Sequence, residues 1–427
     1  MTNQPLVPPV WKNIELCLLF VTVFAKTILF VSRLDVPWGY DVPSYFQAMA
    51  AVDWLHPFFD LRAFYYAMHP PLAFLLADTV AWITGSSPLE AVQTVSFIAS
   101  LEILFLLRAT LGRLHLLDHP CAIAFLYVTC NLPLQSYLLV GVNMDVLVFV
   151  WACAALYQVV TLVQADHRRV VCASSLLGGY FLAAGCLTKF SGIVSLAIPF
   201  LYAITAGKNV ALNIKRGLVM VAVAMTLVMP YYFVNYYIPE GTFFYTSAGT
   251  MLLHESQPSI AERNADPLGF IVSFVHVPKH EGRLVRTWWG LWRGEGHAPQ
   301  SPAAQSFSNV YLALMPWLVL MGIAIYLLRR RPRDEWHFFS RFIVRFSLLQ
   351  LLFLIAVITK YPVPGLGHHK VIYIAAASMG IGVFLSMWMY LPQMLRNLSA
   401  ASREKLTLAL FALIFLFVIA NNVIPVY

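Results

Sequence analysis

Apolar runs of about 17 to 22 residues follow one another along this whole chain, each long enough to cross the hydrocarbon core of a bilayer. Lipid offers the backbone no hydrogen-bond partners, so consecutive spans of this length fold as helices that close their own hydrogen bonds. The composition agrees: 60% of the 427 residues are hydrophobic and 11% are charged, whereas a soluble domain has roughly a quarter of its residues charged. The sequence therefore predicts an all-α polytopic membrane protein forming a single integral domain over residues 1–427. About eleven spans are expected, near 14–32, 91–108, 119–137, 145–163, 170–187, 190–206, 217–237, 307–328, 338–358, 371–390 and 406–424. The run after Lys12 has no small-residue cleavage site behind it and reads as a retained first helix.

The net charge of +8 is no sign of nucleic-acid binding. The basic residues cluster in short turns: Arg108 with Arg113, Arg168 with Arg169, Lys208 with Lys215 and Arg216, Arg329–Arg331 with Arg333, and Arg396 with Arg403 and Lys405. These turns alternate with the spans so that all fall on one side, which the positive-inside rule makes the cytoplasm. Two long loops, about 33–90 and 238–306, then lie outside. Within the first, Leu72–Thr84 is too short for a span and reads as a helix at the outer interface, and Ser44–Leu55 is a second interfacial candidate. The six cysteines (Cys17, Cys121, Cys130, Cys153, Cys172 and Cys186) sit in or beside apolar runs without metal or redox spacing, and read as packing residues. No paired-half pattern of the kind found in many transporters is present.

Polar residues that interrupt this apolar background are the candidates for chemistry. Asp41, in Trp38-Gly-Tyr-Asp-Val-Pro-Ser-Tyr45, suits a helix N-cap because Pro follows closely. It also suits a general base at the membrane surface; a cap position fixes the carboxylate, so the readings are compatible. Tyr40 and Tyr45 flank it. Asp145 opens an apolar run and is either another cap or a second acid on the same outer side. Lys189, in Leu187-Thr-Lys-Phe-Ser-Gly192, separates two apolar stretches, either snorkelling to the interface or meeting an anionic headgroup or phosphate. His368, His369 and Lys370 begin a late helix, where cations and free N–H groups converge if an anion sits there. Adjacent histidines rarely share one metal, and no outer set has ligand spacing. The second outer loop mixes Arg283 and Arg286 with Trp288 and Trp289, suited to phosphate and sugar contacts or to a solvated amphipathic loop. Lys26, inside the first span, has no evident role.

The order of these features resembles the GT-C glycosyltransferases of the protein O-mannosyltransferase and aminoarabinose transferase type. An outer-loop Asp is followed by His69-Pro-Pro-Leu72, an outer Asp opening a helix, Leu-Thr-Lys-Phe-Ser-Gly, and His-His-Lys-Val-Ile-Tyr opening a late helix. The similarity runs over about residues 36–205 and returns near 366–385. It implies a GT-C bundle that moves a sugar from a polyprenyl-phosphate-linked donor to a lipid, glycan or protein acceptor outside the cytoplasm, with inversion at the anomeric carbon. It implies Asp41 as base, Asp145 as a second acid, and His69, Lys189 and Lys370 at the carrier phosphate, with His368, His369, Arg283 and Arg286 beside them. Tyr40, Tyr45, Tyr373 and Trp288 are assigned to the substrate cavity. Many relatives carry a second acid directly after the base; this chain has Val42, which favours transfer without a metal or other cofactor. A bacterial inner membrane and no nucleic-acid partner are expected. The competing reading is a transporter or flippase of a lipid-linked intermediate, whose polar groups would sit at mid-membrane on broken helices.

Overall fold

A computed structural model describes residues 9–37, 42–58, 69–142, 145–165, 169–207, 209–241, 243, 264–272, 302–328, 334–360, 375–395 and 397–423. The principal helices are α1 (Pro9–Arg33), α2 (Val42–Ala51), α3 (Leu72–Thr84), α4 (Pro88–Arg113), α5 (Pro120–Cys130), α6 (Pro133–Val140), α7 (Asp145–Gln164), α8 (Ala173–Thr188), α9 (Ile198–Ala206), α10 (Val210–Tyr232), α11 (Pro302–Leu328), α12 (Glu335–Lys360), α13 (Ser378–Ser386) and α14 (Ala400–Val423). No strand occurs among the described residues.

Among the described residues, seven helices are long and apolar enough to span a membrane, eight if α5 and α6 count as one bent span. Leu72–Thr84, Ala173–Thr188, Phe190–Ala206 and Ala313–Leu328 are shorter apolar helices. Over their described residues the eleven expected spans fall largely on helix, with 371–374 and 424 outside those residues, and several are interrupted. The expected span 119–137 is two helices meeting at 44°. Pro133 supplies no N–H and its ring clashes with the preceding turn, so the chain restarts there. The expected span 190–206 begins as a 3-10 helix, Phe190–Ala197, and becomes α-helical only at Ile198. In α10, Pro230 precedes a π-helical turn at Phe233–Tyr237.

Side-chain bonds fix which helix ends meet. Glu15, early in α1, forks onto Arg108, late in α4, with Nε and Nη2 at 2.8 and 3.1 Å from its two oxygens. The Tyr127 hydroxyl donates to Glu15 Oε1 at 2.8 Å. At the other end of the same two helices, Gln93 Nε2 donates to the carbonyls of Arg33 (3.2 Å), Val36 (2.9 Å) and Val140 (3.1 Å), and Gln93 Oε1 accepts from the Asp35 N–H at 3.0 Å. The helices α1 and α4 are therefore antiparallel, and the chain leaving α6 toward Asp145 lies at the end where loop 33–90 begins. Lys26 is fully buried between them, its Nζ donating to Ser100 Oγ at 2.9 Å.

At the break between α5 and α6, Asn131 Oδ1 accepts from Asn422 Nδ2 of α14 at 2.7 Å, and Ser136 Oγ donates to Asn422 Oδ1 at 3.2 Å. At the basic end, Arg216 is buried and donates to the carbonyls of Arg169 (3.1 Å) and Leu162 (2.7 Å).

In loop 33–90, α3 buries Ala73, Phe74, Leu75 and Ala77 and exposes Trp82 and Ile83. It packs on α2, α4 and α8. One face is thus in the bundle while aromatic tips face outward, which suits a helix at the headgroup level. Gly85, at φ 66°, ends α3 in the left-handed conformation glycine adopts without strain. Ser87 then caps α4 reciprocally with Glu90: Ser87 Oγ accepts from the Glu90 N–H and Glu90 Oε2 from the Ser87 N–H.

Candidate active site

The break between α8 and the following 3-10 helix builds the central feature of the site. The helix stops at Thr188, and Lys189 is extended, with φ −160° and ψ 150°. The carbonyl of Cys186, which has no helical partner at this end, accepts from the Tyr232 hydroxyl at 3.0 Å. Thr188 turns its hydroxyl back to the Ala184 carbonyl (2.7 Å) and accepts from Trp151 Nε1 (2.9 Å). Gly192 packs against the backbone of Gly185 so closely that a Cβ there would collide with it. These contacts fix the kink, and the kink turns the Lys189 side chain inward.

There Lys189 Nζ donates to Asp145 Oδ2 at 2.7 Å. Both side chains are buried, 9% and 2% exposed respectively, so this is no interfacial snorkel. Asp145 stands in the first turn of α7, where the free N–H groups and the helix dipole favour a carboxylate. An ion pair withdrawn from water has lost hydration that its mutual attraction only partly returns, and an apolar pair of similar volume would usually serve stability as well. Ionisable groups inside a membrane bundle mark a functional site for that reason.

The other sequence-derived residues fall as follows. His69 is half-buried, directly before the buried Pro70-Pro71 that leads into α3; α3 packs on α8, the helix that ends at Lys189. Tyr45 is buried at the centre of α2, its ring edge-on to Phe74 of α3 with centroids 4.8 Å apart. This contact ties the two helices together. Asp41 and Tyr40, His368, His369, Lys370 and Tyr373, and Arg283, Arg286 and Trp288 lie outside the described residues; α2 begins at Val42, next after Asp41. Sequence reasoning placed Asp145 and Lys189 on one side but did not pair them. Their signal was available: two opposite charges, each at the edge of an apolar run, at one membrane level.

An aromatic group missing from the sequence reading adjoins this pair. Phe190 faces Tyr232 with centroids 6.2 Å apart, and Tyr232 meets Tyr236 at 5.1 Å across the π-helical turn. Phe58, from loop 33–90, stacks on Tyr231 at 5.8 Å. A π turn shifts side-chain register by one residue and is frequent at functional sites. Among the described residues, no three His, Cys, Asp or Glu side chains gather as a metal site would require.

The bundle thus has a break, a buried ion pair at the end that carries the first long loop, and a partly embedded helix in that loop; solved structures supply the comparison that shows the fold. The archaeal oligosaccharyltransferase AglB from Archaeoglobus fulgidus, solved with an inhibitory peptide and a dolichol-phosphate, matches over 96% of this chain with a TM-score of 0.53 and 15% identity. An oligosaccharyltransferase of the same organism, solved with Zn and sulfate, matches over 96% of this chain with a TM-score of 0.50 and 14% identity. This chain spans about half the length of those two, 56% and 53%. A third match, to ArnT from Cupriavidus metallidurans in the apo state, has a TM-score of 0.42 at 14% identity and covers 86% of this chain and 76% of that one. No family model matches the sequence, and no curated protein matches it. The chain is an integral multi-pass membrane protein of GT-C fold.

Proposed function

We propose that this protein is a glycosyltransferase that moves a sugar from a polyprenyl-phosphate carrier to an acceptor hydroxyl or amine outside the cytoplasm. The observation that carries this reading is the buried Lys189–Asp145 pair, set at the end of a GT-C bundle from which loop 33–90 departs. A lipid-linked donor brings its own leaving group, so the protein has to orient the carrier phosphate, stabilise the charge that develops on it and deprotonate the acceptor.

In this scheme the acceptor heteroatom attacks the anomeric carbon from the side opposite the phosphate. The new glycosidic bond forms as the bond from carbon to phosphate oxygen breaks, and the anomeric configuration inverts. The acceptor proton passes to Asp41, and polyprenyl phosphate leaves. Lys189 is the cation for the phosphate, joined by His69 and Lys370, with His368, His369, Arg283 and Arg286 in support. Asp145 is a positioning residue: it holds the ammonium of Lys189 at a fixed point. The acceptor is a lipid, a glycan or a protein. Transfer proceeds without a metal or other cofactor, since Val42 stands where many GT-C enzymes carry a second acid. The setting is a bacterial inner membrane, with the reaction on its outer face.

The test is release of polyprenyl phosphate from a polyprenyl-phosphate sugar by the full chain reconstituted in vesicles, with and without a chelator. Asp41→Asn retains the ability to cap a helix, because Asn caps about as well as Asp. It should keep the wild-type melting temperature and lose transfer by about 10²-fold or more. Near-wild-type turnover in Asp41→Asn would move the base elsewhere, and a wild-type chain that carries the intact donor across the bilayer without cleaving it would make the protein a flippase.

A further inference from the structure

The basic end of the bundle, opposite Lys189 and Asp145, has a cavity of its own. It is an open cavity of about 480 Å³ between the C-terminal ends of α4 and α7, lined by Ala109, Gly112, Arg113, His115, Tyr157 and Gln164. Ala109 and Gly112 give it a floor of small residues. The polar groups above them are a guanidinium, an imidazole, a phenol and an amide, a set rich in donors. No lining residue is a carboxylate. Arg113 and His115 are exposed. Arg108, little more than a turn earlier on α4, is engaged by Glu15, and Arg216 by backbone carbonyls. Among the described residues nothing engages Arg113 in that way.

The backbone gives a second, independent sign. The helix α4 ends as glycine-terminated helices do: the His115 N–H donates to the Gly112 carbonyl at 3.1 Å and the Leu116 N–H to the Leu111 carbonyl at 2.9 Å. The residue in the left-handed position, at φ 55°, is His115. Glycine takes that position without a Cβ clash and is the usual occupant. A histidine there holds its ring at the lip of the cavity at a cost in backbone strain. The depth is also informative. Arg113 is the last residue of the 26-residue helix α4; at 1.5 Å per residue such a helix is about 39 Å long, enough to reach from one headgroup region to the other. Basic pockets between span ends recognise phosphorylated headgroups.

We propose that this cavity binds the phosphate of an anionic lipid headgroup from the leaflet at the basic end of the bundle. Arg113 forks onto the phosphate oxygens, His115 and Tyr157 donate to them, and Gln164 meets the polar remainder of the headgroup. A lipid seated there braces α4 against α7, the helix that carries Asp145 at its far end. The site stands apart from the proposed sugar transfer, which can fail without affecting it.

The experiment uses the full chain in mild detergent, with binding followed by native mass spectrometry and by melting temperature. The probes are phosphatidylglycerol, phosphatidylcholine of the same acyl chains, and inorganic phosphate. Phosphatidylglycerol should bind about 10-fold more tightly than phosphatidylcholine, as expected of one charge-assisted bidentate contact. Arg113→Gln should remove that preference. His115→Gly suits the backbone, so the variant should melt no lower than wild type in the absence of lipid, yet bind phosphatidylglycerol several-fold more weakly. Equal binding of the two lipids by wild type would overturn the proposal, as would a preference unchanged in the Arg113→Gln/His115→Gly double variant. Equal stabilisation by inorganic phosphate would assign the cavity to a free anion and overturn the lipid.

Discussion

At the residue scale, the Lys189–Asp145 pair separates stability from function. Removing one partner leaves the other charge buried and alone, so Lys189→Met and Asp145→Leu should each destabilise the protein by about 3–5 kcal/mol. Replacing both removes the buried charges together, and the double variant should recover most of that loss. Unfolding by denaturing detergent measures all three. The double variant should fold and still lose most release of polyprenyl phosphate, because the ammonium of Lys189 no longer meets the carrier phosphate. Single variants that unfold like wild type would mean that water reaches the pair, against its burial. The same scale explains what stayed hidden in the sequence. Lys189 was legible as an anomaly because it interrupts an apolar run, and so was Asp145. Their bond was not, since it depends on the kink between α8 and the 3-10 helix. Lys26 was equally visible and equally unassigned, because its partner Ser100 lies 74 residues away on α4, and no local pattern encodes which helices pair.

At the scale of elements, helix existence was legible and helix continuity was not. Apolar length is set by the bilayer and can be read off directly. A break depends on whether neighbours satisfy the backbone groups it frees. Pro133 marks the bend between α5 and α6, and Pro230 precedes the π turn that follows α10. The stop at Thr188 has no proline; it rests on Tyr232 and on the close approach of Gly185 and Gly192. This makes Gly192 the point at which the kink is most sensitive. In Gly192→Ala the added methyl meets the backbone of Gly185, which cannot step aside as a flexible side chain would, and overpacking of this kind costs about 1–3 kcal/mol. The variant should melt lower and lose donor cleavage more than the stability change alone accounts for, because Lys189 shifts with the kink. Cleavage per folded molecule, measured below the melting transition, checks this. An unchanged value would detach the kink from the site.

At the scale of the whole molecule, the two ends of the bundle are chemically distinct. One end carries Arg108, Arg113, Arg169 and Arg216; the other carries Lys189, Asp145 and the departure of loop 33–90. On the charge bias, we propose that the first lies inside and the second outside. In a cysteine-free background, a cysteine at Ser87 should react with an impermeant thiol reagent applied to intact cells, and one at Gln164 only after permeabilisation; both positions are exposed. The reverse pattern would invert the topology and with it the proposed face of catalysis. A different consequence follows from the hydrogen bond between Asn131 and Asn422. The acceptor on Asn131 is completed by a residue synthesised 291 positions later. At ordinary translation rates of roughly 5–20 residues per second, the break between α5 and α6 waits about 15–60 s in the nascent chain before α14 arrives. Through that interval Asn131 and Ser136 form a polar notch without the partner that closes it. The helix α14 thus acts as a latch on this part of the bundle, and a ribosome that stalls before residue 400 leaves the notch between α5 and α6 open.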